Sequence, residues 1–447
     1  MNHAPEAMSE RQEQLPRSLG AWGIWLLVVN GMIGAGIFGL PSGAVAAAGA
    51  FSPLVYVLCA LLILPVLLCF AELASYFRTT GGPVRYATEA FGPFLGFQAG
   101  WLFYVARAIA FSANSVLLVD SIGYFWPVAS SGAARTLLLA VTCGGMTLVN
   151  VVGAVSAIRS LAVLTVLKFV VLIGVVVVGI AVLGGDMVRQ VSLAPPEGSD
   201  MGAAILLLVY AYVGFESAVV PAGEARNPRR DMPRGLLLGL LAVAVLYAMI
   251  QMVSMAAVPG IASSSTPLLD VAAALLGPVG AGLLMLGVVA SVGANLLGTS
   301  FATPRVTYAL ALDGSLPALF GRVHPRFLTP ANSIMVYGAV SFAMAVFGSF
   351  AWLAASSVVS RLLLYSLTCA AVPLLRPRYR GTGGFVLPLG PVVPLLGIVA
   401  CGGLMLQVSQ KSALLTIGFL VIGCGLYALA RWRSPLKNSG AVAPPPG

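Results

Sequence analysis

Few side chains in this 447-residue chain are equipped for chemistry, and those that are lie inside apolar runs. Glu216 stands in Tyr210-Ala211-Tyr212-Val213-Gly214-Phe215-Glu216-Ser217, Lys168 in Leu167-Lys168-Phe169-Val170, and Arg107 and Arg361 in two further runs. A charge held in hydrocarbon is expensive, so each such residue marks an ion path, a proton relay or a buried partner. Three uses are open to Glu216: titrating, pairing with a cationic substrate, or accepting hydrogen bonds from unwound backbone. Lys168 is either a buried charge with a task or a snorkelling side chain. Arg361 needs an anionic partner, with Glu72, Asp120 and Glu216 as candidates, or else an acidic substrate; the ion pair is the preferred reading. Arg107 lies nearer the inner face, where it can snorkel.

The backbone is a second source of chemistry. Asn30-Gly31-Met32-Ile33-Gly34-Ala35-Gly36-Ile37-Phe38-Gly39-Leu40-Pro41 lies in the middle of one apolar run, and Gly214 directly precedes Glu216 in another. Glycine lowers the cost of leaving helical geometry. A broken membrane helix presents free N–H and C=O groups to a small zwitterion at mid-membrane. Close helix packing through small residues is the plainer use of the same glycines. Other chemistry has little material. The two histidines are His3 and His324, and Cys59, Cys69, Cys143, Cys369, Cys401 and Cys424 are scattered through apolar runs. They read as small hydrophobes, without ligand spacing, so neither a metal nor a cofactor is expected.

The elements that position these residues are membrane helices. At 59% hydrophobic and 9% charged, the composition excludes a soluble globular protein. The polar start, Met1 to Gly20 with Pro16, predicts no cleaved signal peptide. Apolar spans fall near 20–44, 53–77, 97–125, 135–155, 159–183, 201–222, 235–257, 276–303, 331–349, 352–374, 388–409 and 412–430, twelve in all, the third kinked or long. With the N-terminus inside, 18 of the 24 basic residues fall on the cytoplasmic side, among them Arg78, Arg159, Arg226, Arg305, Arg376 and Arg431. The positive-inside rule therefore places both termini in the cytoplasm. It also accounts for the net charge of +10 without nucleic acid. The glycine-weakened spans one and six begin about 180 residues apart, at matching places in two five-helix halves of opposite orientation, as in an inverted-repeat carrier.

Several motifs, in order, resemble the amino acid–polyamine–organocation superfamily of transporters. They are Ile33-Gly34-Ala35-Gly36-Ile37-Phe38, Ala71-Glu72-Leu73-Ala74 with Gly81-Gly82-Pro83, Phe91-Gly92 and Gly100-Trp101. Tyr212-Val213-Gly214-Phe215-Glu216, Glu224-Ala225-Arg226-Asn227-Pro228-Arg229-Arg230 and Arg305 through Asp313-Gly314-Ser315-Leu316-Pro317 follow in the second half. The resemblance covers roughly residues 15 to 435. Gly214-Phe215-Glu216-Ser217 looks most like the bacterial amino acid antiporters, whereas Gly82-Pro83 departs slightly from the common pattern.

The resemblance implies an all-α membrane protein of LeuT-type fold with a 5+5 inverted repeat, twelve transmembrane helices, helices 1 and 6 broken, and alternating access. The expected divisions are a cytoplasmic tail at 1–18, repeats over 19–183 and 201–374, peripheral helices within 388–430, and a second tail at 431–447. Substrate carboxylate would meet the N–H groups of Ala35, Gly36 and Ile37, where a helix N-terminus favours an anion. The amino group would meet carbonyls near Met32, Ile33, Tyr210 and Val213. Tyr210 matches an aromatic gate, and Phe215 is a candidate wall of the side-chain pocket. Lys168 matches a lysine that occupies the place of a second sodium ion, which disfavours sodium and favours protons or exchange. Thr299 and Ser300 are expected to face Lys168, and Asn295 to line the pocket.

The expected protein is a transporter, not an enzyme, in a bacterial cytoplasmic membrane. It would move a small or neutral amino acid with protons; the alternative is an obligatory exchanger, including one for cationic or acidic substrates. A channel lacks its filter or polar ring here, and an embedded enzyme lacks a cluster of catalytic groups at one face. Membrane lipid is the other expected partner. Small residues serve internal and intersubunit packing alike, so no oligomeric state is assigned.

Overall fold

In hydrocarbon each backbone polar group must be satisfied within its own segment, which leaves these apolar runs little choice but helix. The structure, a computed structural model, describes residues 20–77, 81–153, 161–198, 200–222, 225–379, 384–387 and 389–433. The N-terminal tail expected at 1–18, the C-terminal tail beyond residue 433, Arg78, Thr79, Thr80, Arg159, Gly223, Glu224 and Arg380 lie outside the described residues. Among the described residues, eight helical stretches are long and apolar enough to cross a membrane, and four shorter apolar helices accompany them.

The first run is split into α1 (Ala21–Met32) and α2 (Gly36–Ala48). There follow α3 (Ser52–Tyr76), the short amphipathic α4 (Gly82–Phe91), α5 (Pro93–Phe125), α6 (Gly132–Val152) and α7 (Leu161–Leu183). The second set is α8 (Met201–Val209), α9 (Pro228–Ala257), α10 (Pro267–Leu312), α11 (Ala331–Phe347) and α12 (Phe350–Leu375). Two further helices close the chain, α13 (Val392–Met405) and α14 (Gln410–Arg433).

Packing repeats between the two sets. α3 packs on α9, α5 on α10 and α6 on α11, each helix meeting its counterpart. The contact of α5 with α12 is mirrored by that of α10 with α7, and α1 on α9 by α8 on α3. One piece of this symmetry is written in the chain. Gly92-Pro93 separates α4 from α5, and Gly277-Pro278 interrupts α10 at the matching place, with φ of 90° and 64° at the two glycines. Glycine adopts the positive φ that ends one helix, and proline starts the next. The span expected at 276–303 is accordingly a helix from Pro278 to Leu312, preceded by a short separate helix from Pro267.

A buried carboxylate holds one end of this bundle. Glu72, fully buried near the end of α3, accepts from Arg376 Nε and Nη2 (both 2.8 Å), Tyr76 Oη (2.5 Å) and the Leu387 amide (2.9 Å). It thereby ties α3 to the end of α12 and to the segment leading into α13. Removing one member of a buried pair strands the other charge, at about 3–5 kcal/mol when both are fully buried. Because Arg376 keeps some exposure, Glu72→Ala is expected to cost about 2–3 kcal/mol. Thermal unfolding in detergent checks this, and the Glu72→Ala/Arg376→Ala double variant should lose less than the sum of the single variants.

Candidate functional site

Two helix breaks face each other in the centre of the bundle. After α1 the chain leaves helical geometry at Ile33 (φ −79°, ψ 88°) and resumes at Gly36. After α8 it passes through a tight turn at Tyr210–Tyr212, an extended Val213 (ψ 158°) and Gly214 at φ 110°, then a second tight turn at Phe215–Ser217. Gly31 and Gly214 meet backbone to backbone. A Cβ on Gly31 would lie 2.6 Å from the Gly214 carbonyl oxygen, and one on Gly214 would strike the Gly31 carbonyl. Only glycine fits at either place.

The break leaves donors at the start of α2. Gly34 N–H turns back to Met32 O (3.0 Å), and Phe38 and Gly39 donate to Ala35 O (3.0 and 3.2 Å). Among the described residues, the amides of Ala35, Gly36 and Ile37 donate to no protein acceptor. They form the N-terminal end of a helix, where free amides and the dipole favour an anion. The carbonyls are treated differently. Lys168 Nζ donates to Asn30 O (3.1 Å), Asn30 Oδ1 (2.5 Å) and Ile33 O (2.8 Å), and Tyr247 Oη donates to Met32 O (3.1 Å).

The second break is held by Glu216. Its carboxylate accepts from Arg361 Nε (2.9 Å), Tyr365 Oη (2.9 Å) and the Gly214 amide (2.8 Å), all buried. Arg361 also donates to the Ala106 carbonyl and to Ser357. Arg107 donates to Ser217 Oγ and lies over the Phe103 ring. Between the breaks is a cavity of about 20 Å³, room for about one water. It is lined by backbone of both breaks and by Arg107, Asn114, Tyr210, Asn295 and Arg361. A larger apolar groove, about 440 Å³, lies between α6 and α11 and has no charged residue with which to hold a zwitterion.

An amino acid permease family matches residues 19–429. The chain belongs to that family. It is therefore a transporter rather than an enzyme, and a multi-pass membrane protein. Its bacterial relatives include a methylthioribose transporter of Bacillus subtilis, 26% identical over 96% of both chains. A branched-chain amino acid permease of the same organism, BcaP, is 25% identical over 97% of both. The serine/threonine exchanger SteT is 27% identical over 88% of this chain and 91% of its own.

Within this permease the residues singled out from sequence divide into two groups. The backbone of Met32, Ala35, Gly36 and Val213, with Tyr210 and Asn295, lies at the cavity, and Ile33 and Ile37 flank it in the first break. Tyr210 stands edge-on to Phe350 at 6.1 Å. The Met32 and Ile33 carbonyls are engaged by Tyr247 and Lys168, and Ser291 also approaches Ile33 O at 3.5 Å. The others lie elsewhere. Phe215 packs on Phe70 (5.2 Å) and Tyr365 (5.4 Å), fully buried between α3 and α12, and does not line the cavity. Glu216 sits behind Arg361. Thr299 bonds Asn295 Oδ1 (3.2 Å) and Ser300 receives Asn150 Nδ2 (2.5 Å), so α10 meets the Lys168 region through Ser291 instead.

Of the three carboxylates considered for Arg361, Glu216 is the partner; Glu72 holds Arg376, and Asp120 lies 3.6 Å from Arg135. Arg107 does not snorkel: it is buried at the cavity. The sequence reading also missed Asn114, although its spacing of seven residues from Arg107 puts both on one helix face.

Gly214→Ala is expected to abolish uptake and lower stability by about 1–3 kcal/mol, since it adds both a clash and a positive-φ side chain. Transport into proteoliposomes and unfolding in detergent measure the two effects. Glu216→Ala should cost about 3–5 kcal/mol by stranding Arg361, with Glu216→Gln milder because it can still accept hydrogen bonds. The same unfolding assay ranks the two variants.

Proposed function

We propose that this permease is a secondary active transporter that carries an amino acid across a bacterial cytoplasmic membrane by alternating access, coupled to protons. The arrangement proposed is LeuT-type, with twelve spans in two inverted five-helix halves and two peripheral helices, and with both termini in the cytoplasm. The observation that carries this reading is the pair of abutting breaks. They offer the unpaired amides of Ala35, Gly36 and Ile37 to a carboxylate at mid-membrane, next to the carbonyls of the second break. Every amino acid has a carboxylate and an amine in this relation, so backbone alone suffices to bind the shared part. Closure around about 20 Å³ means that binding requires the halves to separate, as alternating access demands.

Proton coupling is assigned to Lys168. Its ammonium is held at the first break by Asn30 and Ile33, and it would there stand in for a sodium ion, as the resemblance implies. Because all three acceptors are neutral, the proton can leave without breaking an ion pair. Exchange of one amino acid for another is the second reading. It is favoured by the number of acceptors on Lys168, which suits a permanent charge that pins α1, and by the exchanger among the relatives.

Uptake of labelled amino acid into proteoliposomes separates these readings. An inward proton gradient should drive accumulation, and Lys168→Ala should remove the dependence on that gradient. Uptake that requires unlabelled amino acid inside would make the permease an exchanger. A requirement for sodium would overturn the role given to Lys168.

A further inference from the structure

We infer that Arg107 is a specificity-determining residue whose guanidinium receives the side-chain carboxylate of an acidic amino acid. The inference rests on the cavity being the transport site, and it departs from the small or neutral substrate expected from sequence. Arg107, Ala110 and Asn114 recur on one face of α5 and line the cavity. The three unpaired amides at α2 are used by the α-carboxylate, so this face is left for the side chain.

The hydrogen-bond ledger around Arg107 is unbalanced. A guanidinium has five N–H donors. Arg107 is about nine-tenths buried, yet its one hydrogen bond among the described residues goes to Ser217, and its Nε donates to nothing. Two turns further along the face, Asn114 gives Nδ2 to Ala110 O (2.7 Å), while its Oδ1 accepts nothing. Arg361, by contrast, is engaged by Glu216, Ser357 and Ala106.

Charge points the same way. Arg107 and Arg361 both line the cavity, and none of the lining residues is acidic. Glu216 is the one buried carboxylate close by, and both its oxygens are committed to Arg361, Tyr365 and Gly214. One positive charge is therefore left over on the cavity wall. A buried cation is costly until an anion meets it, and a planar carboxylate matches the guanidinium fork. The substrate's second carboxylate supplies both the charge and the acceptors.

Counterflow into proteoliposomes, run with each of the twenty amino acids in turn, tests this. For the wild-type protein, L-glutamate and L-aspartate should exchange at least about tenfold faster than L-glutamine, the neutral isostere of glutamate, at subsaturating concentration. Arg107→Met should remove that preference, slowing glutamate about tenfold or more while changing glutamine and leucine less than about twofold; Arg107→Lys should retain part of it. If wild-type protein exchanges glutamine or leucine but neither glutamate nor aspartate, the inference fails and the transporter reading stands. Equal slowing of glutamate and leucine by Arg107→Met would give the residue a structural role and also overturn the inference. Exchange of none of the twenty would sink the transporter reading itself. Should Arg107→Met fail to fold, the wild-type comparison of glutamate with glutamine decides alone.

Discussion

The contact on which the rest depends is that of Gly31 with Gly214. A helix interrupted inside a membrane exposes backbone that hydrocarbon cannot satisfy, and this fold contains two such interruptions at one depth. Set face to face without side chains between them, the two breaks shield each other from lipid and share a small polar interior. Every other feature of the centre follows from having to keep them there. Lys168 and Tyr247 take up carbonyls that α1 no longer uses, and Glu216 takes up the amide of Gly214. What remains unpaired, the amides at the start of α2, is what the protein offers outward.

Buried charge is accordingly spent in three different ways. Glu216 and Arg361 hold a break in shape from the second half of the chain. Lys168 does so for the first break without a counter-ion. Glu72 and Arg376 lie away from the centre and bind the ends of helices rather than their interruptions. Each carboxylate accepts several donors, which is the condition under which a buried ion pair is tolerable. Among the described residues, Arg107 is buried with neither a carboxylate in contact nor a set of acceptors like that of Lys168.

The sequence disclosed what is written locally and concealed what depends on rotation and depth. Both breaks were legible, because glycine at Gly31, Gly34, Gly36 and Gly214 acts on its own backbone. The symmetry was legible as spacing, and the matching Gly-Pro pairs at 92–93 and 277–278 are a trace of it only two residues long. The partner of Arg361 was one of three because it lies 145 residues away. Thr299 and Ser300 did not meet Lys168 because the polar stripe Ser291-Asn295-Thr299-Thr303-Thr307 of α10 meets the first break one or two turns earlier, at Ser291, a height along the helix that spacing alone does not set. Phe215 went astray because a tight turn after a left-handed glycine advances side chains differently from an α-helix. Arg107 was placed too shallow because α5 begins at Pro93, not near 97, and runs for 33 residues. At 1.5 Å per residue, Arg107 then sits about 21 Å into the helix.

The clamp at Glu72 has a bearing on how the protein is made. Its arginine is 304 residues downstream and its last amide donor 315. At about 5–20 residues per second, a ribosome needs roughly 15–60 s to deliver the arginine after the glutamate has entered the membrane. Throughout that interval the nascent chain carries at the end of α3 a carboxylate that lacks its arginine, with Tyr76 one turn away as a donor. Biogenesis therefore has a late step. The helices of the first half can be inserted early, but the end of α3 can be fastened only when nearly the whole chain has been translated.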